Sequence, residues 1–292
     1  MFTTSLATDQ DALERVGGKG RSLSKMVREG FNVPAGFIVT ADAYRGFVAD
    51  NQLQTEVVKS ALPRLKDGYP AFEQSSEIIR DLILQSPMND ALIAAVKLAY
   101  RDLATGNGDD APVAVRSSAN AEDLPGLSFA GQQETYLNMR GEDAVVEAVK
   151  NCWASLWTAQ AISYRHQNGI DQNSVAMAVV VQLMVPSEVS GILFTANPAS
   201  GERSEFIING SFGLGEAVVS GQVTPDTYII NRGDLSVKQE LLGPKEHQII
   251  SDGKSGVRME PVAEEDRSKS SISIDQLREL CETALRIEQL YE

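Results

Sequence analysis

Apolar residues recur at helical spacing over several stretches of the chain, and short β-prone runs separate them. Gly17-Gly18-Lys19-Gly20 predicts a sharp turn leading into a helix with Leu23, Met26 and Val27 on one face and Gly30 as its stop. Val33-Pro34-Ala35-Gly36 breaks the chain, residues 37–40 predict a strand, and residues 41–50 a short helix. Residues 53–105 read as mostly helical, because Ile78, Leu82, Leu84, Leu92, Ile93, Val96 and Ala99 recur at that spacing. Asn107-Gly108-Asp109-Asp110 predicts a loop before a β-prone run that ends in Arg116, Ser117 and Ser118.

Residues 142–167 predict one or two further helices, with Val145, Val149, Trp153, Leu156 and Trp157 as the apolar stripe. Residues 177–185 are almost continuously apolar and close on Pro186, the pattern of a strand covered on both faces. Two more strands are expected at 191–195 and 205–209. Gly213-Leu214-Gly215-Glu216 reads as a turn into a short helix. Residues 227–230 alternate like an exposed edge strand, and 231–271 read as a polar hairpin plus loop. Ser273-Ile274-Asp275-Gln276 has the form of a capping box. It opens a last helix with a stripe of Ile274, Leu277, Leu280, Ala284, Ile287 and Tyr291. That pattern still runs at Glu292, so a fragment, or a subunit whose remainder lies elsewhere, is expected.

At 292 residues the chain is long enough for two lobes. A net charge of −14 argues against a nucleic-acid footprint, which needs a basic face. It leaves nucleotide binding open, and the acids serve solubility or help recruit Mg²⁺. The two cysteines, Cys152 and Cys281, have no metal or redox spacing and read as buried thiols. The N-terminus lacks a secretory pattern, and no apolar run reaches the roughly 20 residues that span a bilayer. A cytoplasmic protein with no membrane partner is expected.

The residues richest in chemistry are Arg116-Ser117-Ser118, followed by Gly126 to Thr135, a glycine-bearing stretch. Arginine offers a planar fork of donors to phosphate oxygens, and glycines and hydroxyls let the backbone approach them. A surface arginine in a strand-end turn is the plainer alternative. Lys19, between glycines near a helix start, either reaches phosphate oxygens or is a solvated turn lysine. It belongs to neither a Walker A loop nor a dinucleotide fingerprint. Gln182, polar within an apolar run, either points into a cleft or bonds a neighbouring strand. Backbone groups at the end of that strand suit a purine edge.

Glu122, Asp123, Glu134, Glu205 and Glu216 are candidate acids; Glu216, bracketed by Gly213 and Gly215, is the most distinctive. It suits Mg²⁺, a ribose hydroxyl, or merely a helix first turn. His166 and His247 lie in settings that suit surface or structural roles, and no nucleophilic triad is evident.

Seven motifs in order carry a resemblance: Gly17 to Gly20, Val33-Pro34-Ala35-Gly36-Phe37, Val115 to Ala119, Gly126 to Thr135, Gln182-Leu183-Met184, Gly191 to Thr195, and Gly213 to Glu216. Together they resemble the N-terminal nucleotide-binding domain of the phosphoenolpyruvate synthase and pyruvate phosphate dikinase family, which rifampin phosphotransferases share. Gly213 to Gly221, continuing to Asp226-Thr227-Tyr228, leans toward the rifampin branch.

The resemblance implies an α+β, ATP-grasp fold over 1–292, with lobes near 1–190 and 191–292 closing on ATP. Lys19 and Arg116 resemble the catalytic residues that hold the phosphates. Gly131 and Thr135 resemble the lid, Gln182 and Met184 the adenine-side hinge, and Glu216 an acid of the pocket. ATP and Mg²⁺ are the implied cofactors, and the metal ligands stay unassigned. The family phosphorylates a histidine on a swivelling domain, releases AMP and phosphate, and passes the β-phosphoryl group to pyruvate or the drug. The swivelling and acceptor domains are absent here, so the histidine partner is expected elsewhere in a full-length protein or in another subunit. An ATP-dependent phosphotransferase with pyruvate as acceptor is the leading expectation. A rifampin phosphotransferase, a non-catalytic nucleotide module, and a carboxylate–amine ligase are the alternatives weighed.

Overall fold

The computed structural model describes residues 1–66, 69–106, 108, 110–119 and 134–291. It is of mixed α+β class. Its contacts divide the chain into two units, Met1–Met184 with Lys254–Gly256, and Val185–Gly253 with Val257–Glu292.

The first unit runs through β1 (Thr3–Ser5), α1 (Leu13–Arg28), β2 (Gly36–Val39), α2 (Ala41–Asp50), α3 (Gln54–Ser60), β3 (Arg64–Lys66), β4 (Tyr69–Ala71), α4 (Glu73–Gln85) and α5 (Asp90–Ala104). It continues through β5 (Val113–Ala119), β6 (Thr135–Met139), α6 (Glu142–Ser155), α7 (Ala159–Gln167) and β7 (Met177–Leu183). Five strands pair in the order β1-β2-β7-β5-β6, every pair antiparallel. The apolar run of β7 lies at the centre, and Met177 to Val181 have no solvent exposure. Helices α1, α2 and α6 pack against it. An antiparallel strand thus carries a continuous apolar run, because helices cover its sheet.

Helix α2 spans the predicted residues. The Thr40 hydroxyl caps it by accepting from the Ala43 amide. Helix α1 differs from expectation. It begins at Leu13, ahead of the glycines, and Gly17 interrupts it with φ 70° and ψ 176°. Its end is as predicted: Phe31 N–H donates to Met26 and Gly30 N–H to Val27, a Schellman closure with Gly30 at φ 76°. The mostly helical 53–105 contains the β3–β4 hairpin as well, which helical periodicity does not reveal.

The second unit runs through β8 (Val189–Phe194), β9 (Glu205–Phe212), α8 (Glu216–Val219), β10 (Asp226–Asn231), β11 (Val237–Leu241), β12 (His247–Ser251), β13 (Val257–Pro261), α9 (Glu264–Arg267) and α10 (Ile274–Tyr291). Four strands form an antiparallel sheet in the order β11-β10-β9-β8. Strand β10 is therefore interior, not an edge. Its alternation arises because Tyr228 and Ile230 are buried in the core while Thr227 and Ile229 are half-buried. The predicted capping box is present: Ser273 N–H donates to Gln276 Oε1, and Gln276 N–H to Ser273 Oγ. The stripe of α10 is narrower than expected. Leu277, Cys281 and Ala284 are buried, whereas Ile274, Leu280 and Tyr291 are exposed.

Candidate functional site

Strand β5 organises the first unit's candidate residues. Opposed residues of an antiparallel pair share a face, and so do alternate residues along a strand. Arg116 stands opposite Val180 and Thr135, and Ala114 stands opposite Gln182. Arg116, Ser118, Thr135 and Gln182 therefore lie on one face of the sheet. Helix α1 packs on that face, since Gly20 N–H donates to Ser118 Oγ at 3.0 Å and Ser118 Oγ–H donates to the Val16 carbonyl at 2.9 Å. Lys19 is the residue before Gly20. The fold thus brings the Lys19 turn to the strand that bears Arg116, and both side chains are half-buried.

The opposite face bears Val113, Val115 and Ser117. Cys152 of α6 is enclosed there, with Sγ 3.9 Å from the Val115 carbonyl oxygen. Burial pushes its thiol up, the Glu134 charge adds to that, and Lys19 opposes it. Thr135 opens β6 and is exposed. Its neighbour Glu134 is fixed three ways. Its carbonyl accepts from the Ser117 hydroxyl at 3.2 Å, its carboxylate accepts from the Tyr136 hydroxyl, and Arg80 lies 3.6 Å away. Burial, then this bond to Glu134, pushes the Tyr136 hydroxyl well up. Gly131, Glu122 and Asp123 lie outside the described residues.

At the end of β7, Gln182 is buried and donates from Nε2 to the Pro34 carbonyl at 3.0 Å. The amide thus bonds the segment before β2 and not a neighbouring strand. The Met184 amide donates to the Pro112 carbonyl at 2.9 Å.

In the second unit, Glu216 is half-buried and begins α8. The turn before it is held by Ser190, whose hydroxyl donates to the Gly213 carbonyl at 2.6 Å, and by Leu214 N–H on the Ile249 carbonyl. Glu205 is engaged with Asn197 and Lys238, which hold its carboxyl below the ordinary value. His166 and His247 are exposed, and the His166 ring lies 5.4 Å from that of Phe72, tilted by 55°. Among the described residues no group of three or more His, Cys, Asp or Glu is placed to hold a metal ion.

Sequence reasoning missed two features. The contact of Ser118 with the Gly17 break joins residues about a hundred positions apart. The enclosed pair of Lys245 and Asp226 is also invisible in sequence, where a lysine reads as surface.

The family model described as pyruvate phosphate dikinase, AMP/ATP-binding domain, matches residues 13–292. The chain belongs to this family. All seven candidate site residues fall within the matched pyruvate phosphate dikinase region. A probable phosphoenolpyruvate synthase of Pyrococcus horikoshii is 40% identical, over 97% of this chain and 39% of its own length. The phosphoenolpyruvate synthase of Aeropyrum pernix is 45% identical, over 83% of this chain and 30% of its own length. A probable phosphoenolpyruvate synthase of Methanocaldococcus jannaschii is 42% identical, over 94% and 23%. The chain thus spans well under half the length of these relatives. No helix among the described residues is long and apolar enough to cross a membrane.

Proposed function

We propose that this chain is the ATP-binding domain of a phosphoenolpyruvate synthase-like phosphotransferase, with an ATP-grasp fold whose lobes are the two units. One observation carries the reading: Ser118 fastens the Lys19 turn to the strand of Arg116, on the sheet face that also bears Thr135 and Gln182. Two cations on one face suit a polyphosphate. Phosphoryl transfer asks a protein mainly for positioning and charge neutralisation. Arg116 supplies a forked donor and Lys19 a point charge. Gly131 and Thr135 belong to the covering lid. Gln182 and the chain around Met184 flank the adenine; with its amide committed to Pro112, Met184 contributes its side chain and carbonyl.

Mg²⁺ binds with few carboxylates, several waters and the phosphates themselves. Glu216 is a candidate acid for Mg²⁺ or a ribose hydroxyl, and the metal ligands stay unassigned. In the full-length protein the phosphoryl group goes to a histidine on a swivelling domain, in the same polypeptide or a partner subunit. AMP and phosphate leave, and pyruvate is the final acceptor. The names and greater lengths of the relatives support this part.

Titration calorimetry with ATP tests the binding claim. Saturable binding by this chain that Arg116→Ala weakens supports it, and unchanged affinity in that variant refutes the phosphate assignment. Radiolabelled ATP and the histidine-bearing domain test transfer. An acid-labile phosphohistidine supports it, while its absence leaves a nucleotide module without transfer. Offering pyruvate and a rifamycin to the full-length protein decides the acceptor.

A further inference from the structure

In an unbroken α-helix the amide of residue 20 donates to the carbonyl of residue 16. Here those two groups are Gly20 N–H and the Val16 carbonyl, and the Ser118 hydroxyl lies between them. It accepts from the first at 3.0 Å and donates to the second at 2.9 Å. A side chain from another strand has entered the helical ladder, one of the recognised causes of a kink. Gly17, at φ 70° and ψ 176°, absorbs the resulting turn in a region of conformational space that belongs to glycine. A Cβ on Gly17 would sit 2.0 Å from the Ser118 carbonyl oxygen and 2.4 Å from its hydroxyl, so the approach admits no side chain.

A continuous helix over the same residues would retain one backbone hydrogen bond and need no strained glycine. The break sets the direction of the segment that starts with Gly18 and carries Lys19, and Ser118 stands two residues beyond Arg116. We propose that Ser118 is a positioning residue for the nucleotide's phosphate tail, fixing where Lys19 stands relative to Arg116. This rests on the reading that Lys19 and Arg116 hold the phosphates. Ser118 is fully buried, so it acts through Lys19 and not by touching ATP.

The test is calorimetric titration of ATP and of AMP into the wild-type chain, Ser118→Ala, Lys19→Ala and the double variant. Melting curves establish folding. Ser118→Ala should weaken ATP about tenfold and change AMP by less than about twofold, the loss of one well-placed charged contact. Added to Lys19→Ala, it should change ATP affinity by less than about twofold, because the two act as a unit. If Ser118→Ala does not fold, Ser118→Cys, which fills the site with a weaker hydrogen-bonding group, should show the same selective loss in smaller measure. Equal loss of ATP and AMP, additive losses, or an unchanged ATP-to-AMP ratio in a folded variant would overturn the proposal. A wild-type chain that binds no ATP would instead bring down the functional reading beneath it.

Discussion

Lys245 and Asp226 form an ion pair in which neither side chain has any exposure to solvent. Asp226 also accepts from the Gly243 amide at 2.9 Å, the Ser271 amide at 2.8 Å and the Tyr228 hydroxyl at 3.2 Å. Lys245 donates in addition to the Gly243 carbonyl at 3.1 Å. One carboxylate thereby fastens the start of β10, the connection after β11 and the turn before α10. Burial works to raise the Asp226 carboxyl, but Lys245 and the hydrogen bonds outweigh it and hold it below the ordinary value.

A depressed carboxyl contributes stability above its unfolded value and loses it as pH falls through the folded value. Asp226→Asn should destabilise the chain at neutral pH by about 3 kcal/mol or more, since it leaves a buried ammonium uncompensated. Urea unfolding followed from neutral to acid pH should show the gap between variant and wild type closing only below the ordinary aspartate range. A gap that is constant with pH would refute the charge argument.

Arg116→Ala should reduce ATP affinity by about 2 kcal/mol, roughly 30-fold, the size of a lost charged hydrogen bond. Lys19→Ala should act in the same direction, with more of its effect on transfer rate in a complete enzyme. Calorimetry and single-turnover kinetics separate the two. Unimpaired binding and transfer in both variants would contradict the phosphate assignment.

Gly17→Ala should cost about 3 kcal/mol, combining a left-handed backbone with a collision against strand β5. Gly46→Ala is the control: it lies within α2, and no neighbour stands within 4 Å of an added Cβ. It should be neutral or slightly stabilising. Chemical denaturation of the two variants checks the contrast, and similar losses in both would remove the case for a close approach at Gly17.

Cys152 and Cys281 should resist thiol reagents in the folded chain at mildly alkaline pH. Burial pushes Cys281 up to about 11, with Glu282 adding to it, and pushes Cys152 higher still. The thiolate is the reactive form. Both should react once the chain is unfolded in denaturant. Rapid modification of Cys152 in the native chain would show that the α6–β5 interface opens.

Much of the fold was legible because its signals are local. The capping box of α10, the Gly30 stop and the apolar run of β7 each announce themselves within a few residues. The errors come from what local sequence signals do not encode: strand pairing, the arc of a helix that is buried, and a contact from far along the chain. Alternation over 227–230 records two faces but not whether a neighbour lies on each side, so interior β10 looked like an edge. The α10 stripe counted Leu280 and missed Cys281, because the burying sheet covers a narrower arc than the apolar residues occupy. A glycine run reads as a turn, which hid the helical turn from Leu13 to Val16. At the candidate site, residue types marked Lys19 and Arg116. The Ser118 contact that joins their segments depends on folding and had no trace in spacing.

Both tryptophans, Trp153 and Trp157, lie in the larger unit. They are buried, and Trp157 Nε1 donates to the Tyr44 hydroxyl while the Arg165 guanidinium stands over its ring. Tryptophan emission, excited beyond the tyrosine absorption, is therefore a label that nature has attached to one unit alone, since Tyr228 and Tyr291 of the smaller unit do not contribute to it. Melting followed by fluorescence reports that unit, circular dichroism reports both, and any divergence between the two curves measures how independently the smaller unit comes apart.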